Sequence, residues 1–346
     1  MRFLFILLYL FSLPVFSNEV LTRVIDTGAG HASITKMPNG QIMVFDAGRS
    51  SSSDHIVQQM KDVMGNNDVI YLLVLSHTDS DHLGAVPAIF NNFTVKYVLR
   101  TGLYRCTIED DCDWRKSQNA IRKAVNKGNM IDLNLKIYPI GHGYTFHFGD
   151  ASVQFLSGYH TPPESWGLRV GSSDWKNAGS IVMRLDYDGK SILFTGDEWG
   201  KKPGAHDVNG DQGINESSLG AEKYLIKHHN ERSIKSDVYI AAHHGADDAN
   251  SFDFLEIVEP QFVILPAGGS HQHPRYRTVK RIQHATGLTD DKFFRTDLCD
   301  TPGIKEWPIP WEQGADDSKN DDDIDIRLIK GNDIPSITYV TSSGDC

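Results

Sequence analysis

The stretch Val69-Ile70-Tyr71-Leu72-Leu73-Val74-Leu75, followed by Ser76 and His77-Thr78-Asp79-Ser80-Asp81-His82, decides how the chain reads. Its apolar run is short and rich in branched side chains, as in a strand buried on both faces. Four of the six residues after Ser76, namely His77, Asp79, Asp81 and His82, are metal-ligand types. Imidazole with carboxylate suits Zn²⁺ and similar divalent ions. A loop leaving a buried strand holds such groups rigidly while one side stays open to water.

The same arrangement recurs outward from this point. Phe194-Thr195-Gly196-Asp197 closes the strand Ser191 to Thr195, and its glycine lets the backbone turn before a carboxylate able to bridge two cations. Ala241-Ala242-His243-His244-Gly245 closes the strand Asp237 to Ala241. Tyr159-His160-Thr161-Pro162 follows the strand Ser152 to Leu156, and His271-Gln272-His273-Pro274 follows Gln261 to Leu265. A lone loop histidine is ordinarily a surface residue, but five strand ends each presenting His or Asp fit a dinuclear site built where sheet ends meet. Strands are also predicted at Val20 to Ile25, Ala32 to Thr35, Gln41 to Phe45, Lys96 to Leu99 and Ile181 to Leu185. Helices are predicted after a Ser53 cap, with Ile56, Met60, Val63 and Met64 as the apolar face, and at Trp114 to Asn126, Glu216 to His229 and Tyr276 to His284. Strands dominate each half with helices between them, so an α+β fold of two mixed sheets packed face to face, helices outside, is expected.

The 346 residues, 40% of them hydrophobic, suffice for a large core across 18–346. A net charge of −11 does not suit a protein that grips nucleic acid through many phosphates, so no stable nucleic-acid binding is expected. It leaves open an enzyme whose ions supply local positive charge. Arg2, the apolar run Phe3 to Phe16 and Val15-Phe16-Ser17 read as an export signal over 1–17, placing the mature chain in the periplasm or outside the cell. An uncut anchor is the alternative, although the run is short and Pro14 interrupts it. No other segment has the length and apolarity to cross a bilayer. Cys106, Cys112, Cys299 and Cys346 fit an oxidising compartment. Of the three pairings, one joins Cys106 to Cys112 across a short acidic loop and clamps the tail through Cys299 and Cys346. Asp316 to Asp325 reads as a solvated acidic loop, and Ile334 to Thr341 as a final strand.

His77-x-Asp79-x-Asp81-His82 with Thr195-Gly196-Asp197 resembles the metallo-β-lactamase superfamily, which implies an αββα sandwich with a two-metal hydrolytic site. Ile25 to Gly30, Leu75 to Ala85, Asn177 to Asp197 and His243-His244-Gly245 look more finely like the hydrolase domain of the competence, or DNA-uptake, protein family. His273-Pro274 and Arg295-Thr296-Asp297 match that family's closing segments. The resemblance implies His77 and Asp79 on a first metal, Asp81 and His82 on a second, and Asp197 as bridge. His160 would complete the first site, with His142 or Asn177 as substitutes, and His273 the second. His243 and His244 would line the substrate side, Asp81 or Asp79 would take a proton, and Asp46 would support the ligand loop.

The chain departs from that family in carrying His31 where an Asp is usual, and in an insertion, Glu164 to Lys176. It lacks the family's large membrane domains, so an uptake channel is not expected. The implied cofactor is a pair of divalent ions, Zn²⁺ first, with Mn²⁺ or iron also fitting. The expected function is hydrolysis, through a metal-activated hydroxide, of a phosphodiester or phosphoester in a small molecule or polymer. Amide or lactone hydrolysis, as in β-lactamases, and a non-catalytic metal-binding module are the alternatives.

Overall fold

The strands alternate their apolar residues between two layers, and this alternation builds the molecule. The computed structural model describes residues 17–106, 112–202, 218–268, 273–297 and 322–340. Residues 1–16 of the expected export signal, His271, Cys299, Cys346 and 316–321 of the acidic run lie outside them. The chain runs through β1 (Glu19–Ile25), β2 (Ala32–Lys36), β3 (Ile42–Ala47), β4 (Val69–Leu75), β5 (Thr94–Arg100) and β6 (Ile131–Asn134). It continues through β7 (Thr145–Phe148), β8 (Ala151–Ser157), β9 (Val182–Tyr187), β10 (Lys190–Phe194), β11 (Val238–Ile240), β12 (Phe262–Leu265) and β13 (Phe293–Arg295). β14 (Ile324–Ile329) and β15 (Ser336–Tyr339) return to the first sheet.

The first sheet has the order β15-β14-β1-β2-β3-β4-β5-β6, the second β13-β12-β11-β10-β9-β8-β7. Each mixes antiparallel neighbours with a parallel run, β3 to β6 in one and β10 to β13 in the other. Parallel neighbours need crossovers, and helices supply them. α1 (Ser53–Met64) lies between β3 and β4, while α2 (Ser80–Leu83) and α3 (Val86–Asn92) lie between β4 and β5. α4 (Asp113–Asn126) precedes β6, and the short α5 (Ser173–Asn177) precedes β9. α6 (Gly220–His228), α7 (Phe252–Val258) and α8 (Tyr276–Thr286) connect β10 to β13 in turn.

β4 shows why its sequence is an unbroken apolar run. Leu72 and Val74 face the other sheet, in one cluster with Phe45, Phe155, Met183, Phe194 and Ile264. Leu73 and Leu75 face outward onto Met60 and Ile56 of α1 and Ile89 of α3. A third apolar cluster seats Leu225, Phe254 and Ile282 of α6, α7 and α8 on the outer face of the second sheet. The layers are therefore helix, sheet, sheet, helix: the expected α+β, αββα sandwich of the metallo-β-lactamase type. Phe45 and Phe194 stack across the two sheets with centroids 5.1 Å apart.

The acidic run is corrected. Its described end, Asp322 to Asp325, is buried, and β14 pairs antiparallel with both β1 and β15. Arg23 of β1 grips Asp325 with Nε at 2.7 Å and Nη2 at 3.1 Å. Asp323 accepts from the Asp26 amide at 2.8 Å and faces His55 Nε2 at 3.0 Å. Buried carboxylates persist when paired in this way. β6 and β7 also escaped the sequence reading. Of the pairings the sequence leaves open, the structure shows the local one, Cys106 with Cys112. No helix of the described residues is long and apolar enough to cross a membrane.

Candidate metal centre

The carboxyl ends of β3, β4, β10, β11 and β12 deliver Asp46, His77 to His82, Asp197, His243-His244 and His273 to one edge of the sandwich. Such ends are where open sheets gather ligands. Two glycines allow the close approach. Gly196 has φ 56°, and a Cβ there would come within 2.6 Å of Ser76 Cβ. Gly245 has φ 81°, and its Cβ would come within 2.7 Å of Pro274 Cβ. The ends are then stitched together: Ile181 N donates to Ser76 O (2.9 Å), His243 N to Gly196 O (3.0 Å), and Thr195 Oγ1 to Ile240 O (2.7 Å).

Asp197 lies at the middle. Its Oδ1 is 3.0 Å from His82 Nε2 and 3.6 Å from His244 Nε2. Its Oδ2 is 3.6 Å from both His77 Nε2 and His243 Nε2. Asp79 Oδ1 stands 4.0 Å from His77 Nε2, and Asp81 Oδ2 stands 3.8 Å from His244 Nε2. His82 and His244 bring their Nε2 atoms within 3.1 Å of one another. Among the described residues three compact sets of ligand-type atoms result: His77, His82 and Asp197; Asp81, His82 and His244; and, behind them, His31, Asp46 and His82.

Outer partners aim these rings. Ser76 Oγ donates to Asp46 Oδ2 (2.7 Å) and accepts from His77 Nδ1 (3.0 Å), which leaves His77 Nε2 pointing inward. That buried Nε2 has no hydrogen-bond partner, as a ligand atom awaiting a cation would not. His82 Nδ1 faces Asp46 Oδ2 at 2.8 Å, and His244 Nδ1 donates to Pro266 O at 2.8 Å. Asp46 thus supports the ligand loop, as expected, and His31 braces it from 3.4 Å. The donor set and this geometry fit a pair of divalent cations.

Electrostatics separates the two adjacent histidines. His244 drops to about 4, chiefly through burial, and is a neutral ligand-type imidazole. His243 is opposed by burial but raised to about 10 by Asp248 and then Asp197; its Nδ1 lies 2.7 Å from Asp248 Oδ1. Burial lowers His77, with His82 adding to the effect. Burial would raise Asp197, yet His82, His244, His243 and His77 hold it well below the usual carboxylate range. Asp81 is likewise lowered against burial by His82 and His244.

The expected residues sort as follows. His77, Asp81, His82 and Asp197 meet within ligand distance, and Asp79 stands beside His77. His244, expected on the substrate side, instead groups with Asp81 and His82. His273 approaches with ring centroids 5.4 Å from His243 and 6.3 Å from His244, and its pKa falls to about 2, first through burial. His160 belongs to none of the ligand-distance sets; its neighbours are Thr101 and Lys136. His142 is engaged on both nitrogens, by Tyr224 Oη (2.6 Å) and Gly158 O (3.2 Å). Asn177 is buried, with an Oδ1 that has no hydrogen-bond partner. The sequence reading missed Asp248, Arg105 and Lys176. Asp248 had a signal in its place five residues beyond His243 on the same strand-end loop; Lys176 directly precedes the Asn177 to Asp197 stretch, and Arg105 lies far from any motif.

No family model matches the chain. ComE operon protein 3 of Bacillus subtilis (strain 168) is 21% identical over 295 residues, covering 80% of this chain but 32% of its own length. The chain therefore spans about a third of that relative. Among solved structures, CmlA, a diiron β-hydroxylase from Streptomyces venezuelae, is similar with a TM-score of 0.41 and 12% identity, over 78% of this chain and 51% of that one. Igni18, a metallo hydrolase from Ignicoccus hospitalis KIN4/I, gives 0.38 and 11%, over 72% and 83%. By its layered sheets and the order of its strand-end motifs, the chain has the metallo-β-lactamase-type sandwich, and in sequence it is similar to ComE operon protein 3.

Proposed function

We propose that the chain is an exported metal-dependent hydrolase of phosphodiester or phosphoester bonds. The observation that carries the reading is Asp197, surrounded by four imidazole Nε2 atoms at 3.0 to 3.6 Å. His77, Asp79 and Asp197 would hold one divalent ion, and Asp81, His82, His244 and Asp197 the other. Zn²⁺ is the first candidate, with Mn²⁺ or iron as alternatives. When bound, such ions lower the pKa of water and polarise a phosphoryl oxygen.

Asn177 is a better candidate than His160 for the open position on the first ion. Its segment is tied through Ile181 to Ser76, and its buried oxygen has no hydrogen-bond partner. His273 remains a candidate on the second. His243, cationic against Asp248, is placed to donate a proton to the leaving oxygen. Asp81, held as a carboxylate by His82 and His244, serves as a ligand better than as a proton acceptor. Export rests on the leader-like residues 1–17, with the Cys106–Cys112 disulfide in support.

The test is hydrolysis of bis(p-nitrophenyl) phosphate by metal-loaded and chelated protein, beside nitrocefin. Chelator-sensitive cleavage of the phosphodiester alone is expected, lost in His77→Ala and Asp197→Ala. Nitrocefin cleavage without phosphodiester cleavage would overturn the reading.

A further inference from the structure

His243 and His244 are consecutive residues in left-handed backbone, a region that side-chain-bearing residues visit singly. One residue outside the ligand motifs ties both ends of their turn. Asn250 Nδ2 donates to Ala242 O at 3.0 Å, just before the pair, and to Ala246 O at 3.4 Å, just after Gly245. Its Oδ1 accepts from Tyr239 Oη at 2.7 Å, and that hydroxyl accepts in turn from Ala242 N at 3.1 Å. Asn250 and Tyr239 are fully buried.

Asn250 is itself fixed from two sides. Its backbone is left-handed, at φ 61°, which asparagine tolerates better than most residues. Its N–H and that of Ser251 donate to the Glu222 carboxylate, the second at 3.0 Å. Arg281 Nη1 donates to Ala249 O at 3.2 Å and to Asn250 O at 3.3 Å, and its Nη2 to Asp247 Oδ1 at 2.6 Å. Glu222 of α6 and Arg281 of α8 are both buried, so two helices hold the loop Asp247 to Ser251. The same loop carries Asp248, 2.7 Å from His243 Nδ1. The clamp needs a short side chain that donates twice and accepts once. Asparagine does both; aspartate lacks the donors, and glycine lacks the group altogether.

We propose that Asn250 is a positioning residue of the candidate metal centre: by bridging Ala242 O and Ala246 O it imposes the turn that sends His244 to Asp81 and His82, and His243 to Asp248. The proposal rests on reading the cluster as a metal centre and is independent of which bond is cleaved. Loss of such an outer support weakens metal binding although every ligand atom remains.

Asn250→Gly keeps the left-handed backbone accessible and deletes the amide, while Tyr239→Phe deletes only the hydroxyl. Met60→Ala, in α1 on the other sheet, controls for lost stability. Hydrogen exchange is read on the metal-free chain, and Co²⁺ binding by competition with a chelator and by the visible spectrum. The His243 and Ala246 amides donate to Gly196 O and His243 O. In Asn250→Gly they should exchange about tenfold faster relative to the amides of β4. The weaker Co²⁺ affinity should fall about ten- to a hundredfold, with an altered spectrum. Tyr239→Phe should move both readouts the same way by less, and it carries the test if Asn250→Gly does not fold. Met60→Ala should move neither. Unchanged exchange and affinity in the clamp variants would overturn the proposal, and so would an equal loss of Co²⁺ affinity in Met60→Ala. A wild type that takes up no Co²⁺ while the exchange responds as expected would overturn the metal-centre reading and keep the clamp.

Discussion

Each imidazole around Asp197 is aimed by what its Nδ1 touches. Ser76 Oγ orients His77, Asp46 orients His82, the Pro266 carbonyl orients His244 and Asp248 orients His243. Burial keeps His244 neutral, whereas the Asp248 carboxylate keeps His243 charged, so neighbours in sequence take different roles. Both sit in left-handed backbone, at φ 48° for His243 and 56° for His244, a conformation that persists only where the surroundings impose it. His244→Ala should therefore lose about one equivalent of metal by elemental analysis. His243→Ala should retain metal while kcat falls about a hundredfold or more, the loss of a positioned proton donor. Equal metal loss in both variants would remove the distinction.

At the scale of the element, β14 shows a rule of composition overridden by pairing. Asp322, Asp323 and Asp325 belong to the most acidic stretch of the chain, yet they are buried: Asp325 lies in β14 against Arg23 of the adjacent strand, and Asp323 just before it meets His55 and the Asp26 amide. The Arg23 and Asp325 side chains are only 8% and 7% exposed. Arg23→Met leaves the buried Asp325 with only the more exposed Arg327, 3.0 Å away, a loss of about 2 kcal/mol in urea unfolding. Arg23→Met with Asp325→Leu should recover part of the loss. An unchanged urea midpoint in the single variant would show the pair to be incidental. The ligand strands are steadier: β4, β10, β11 and β12 are buried on both faces, and their apolar runs were legible for that reason.

Across the whole molecule, the candidate metal centre joins the carboxyl ends of both sheets over the Phe45–Phe194 stack. An ion that binds only the folded state stabilises it by mass action. Chelation should lower the Tm by about 5 °C, read by calorimetry in matched buffers. Equal Tm values for loaded and chelated protein would mean that the ions do not brace the two sheets.

Local chemistry determined much of this in advance. Periodicity and β-branched runs fixed the main strands, and glycine followed by Asp or preceded by His marked the strand ends. His77, Asp79, Asp81, His82 and Asp197 were legible because a turn of six residues and a strand-end Thr-Gly-Asp are contiguous in sequence. What lay beyond reach depends on neighbours distant in the chain. Asp325 found Arg23 302 residues away, Asp79 found Arg105, and His244 left the substrate side to join Asp81 and His82. Sequence spacing determines which groups leave a strand together. Only packing determines which groups from other strands they meet, and the burial and charge around each group then set its protonation and its role.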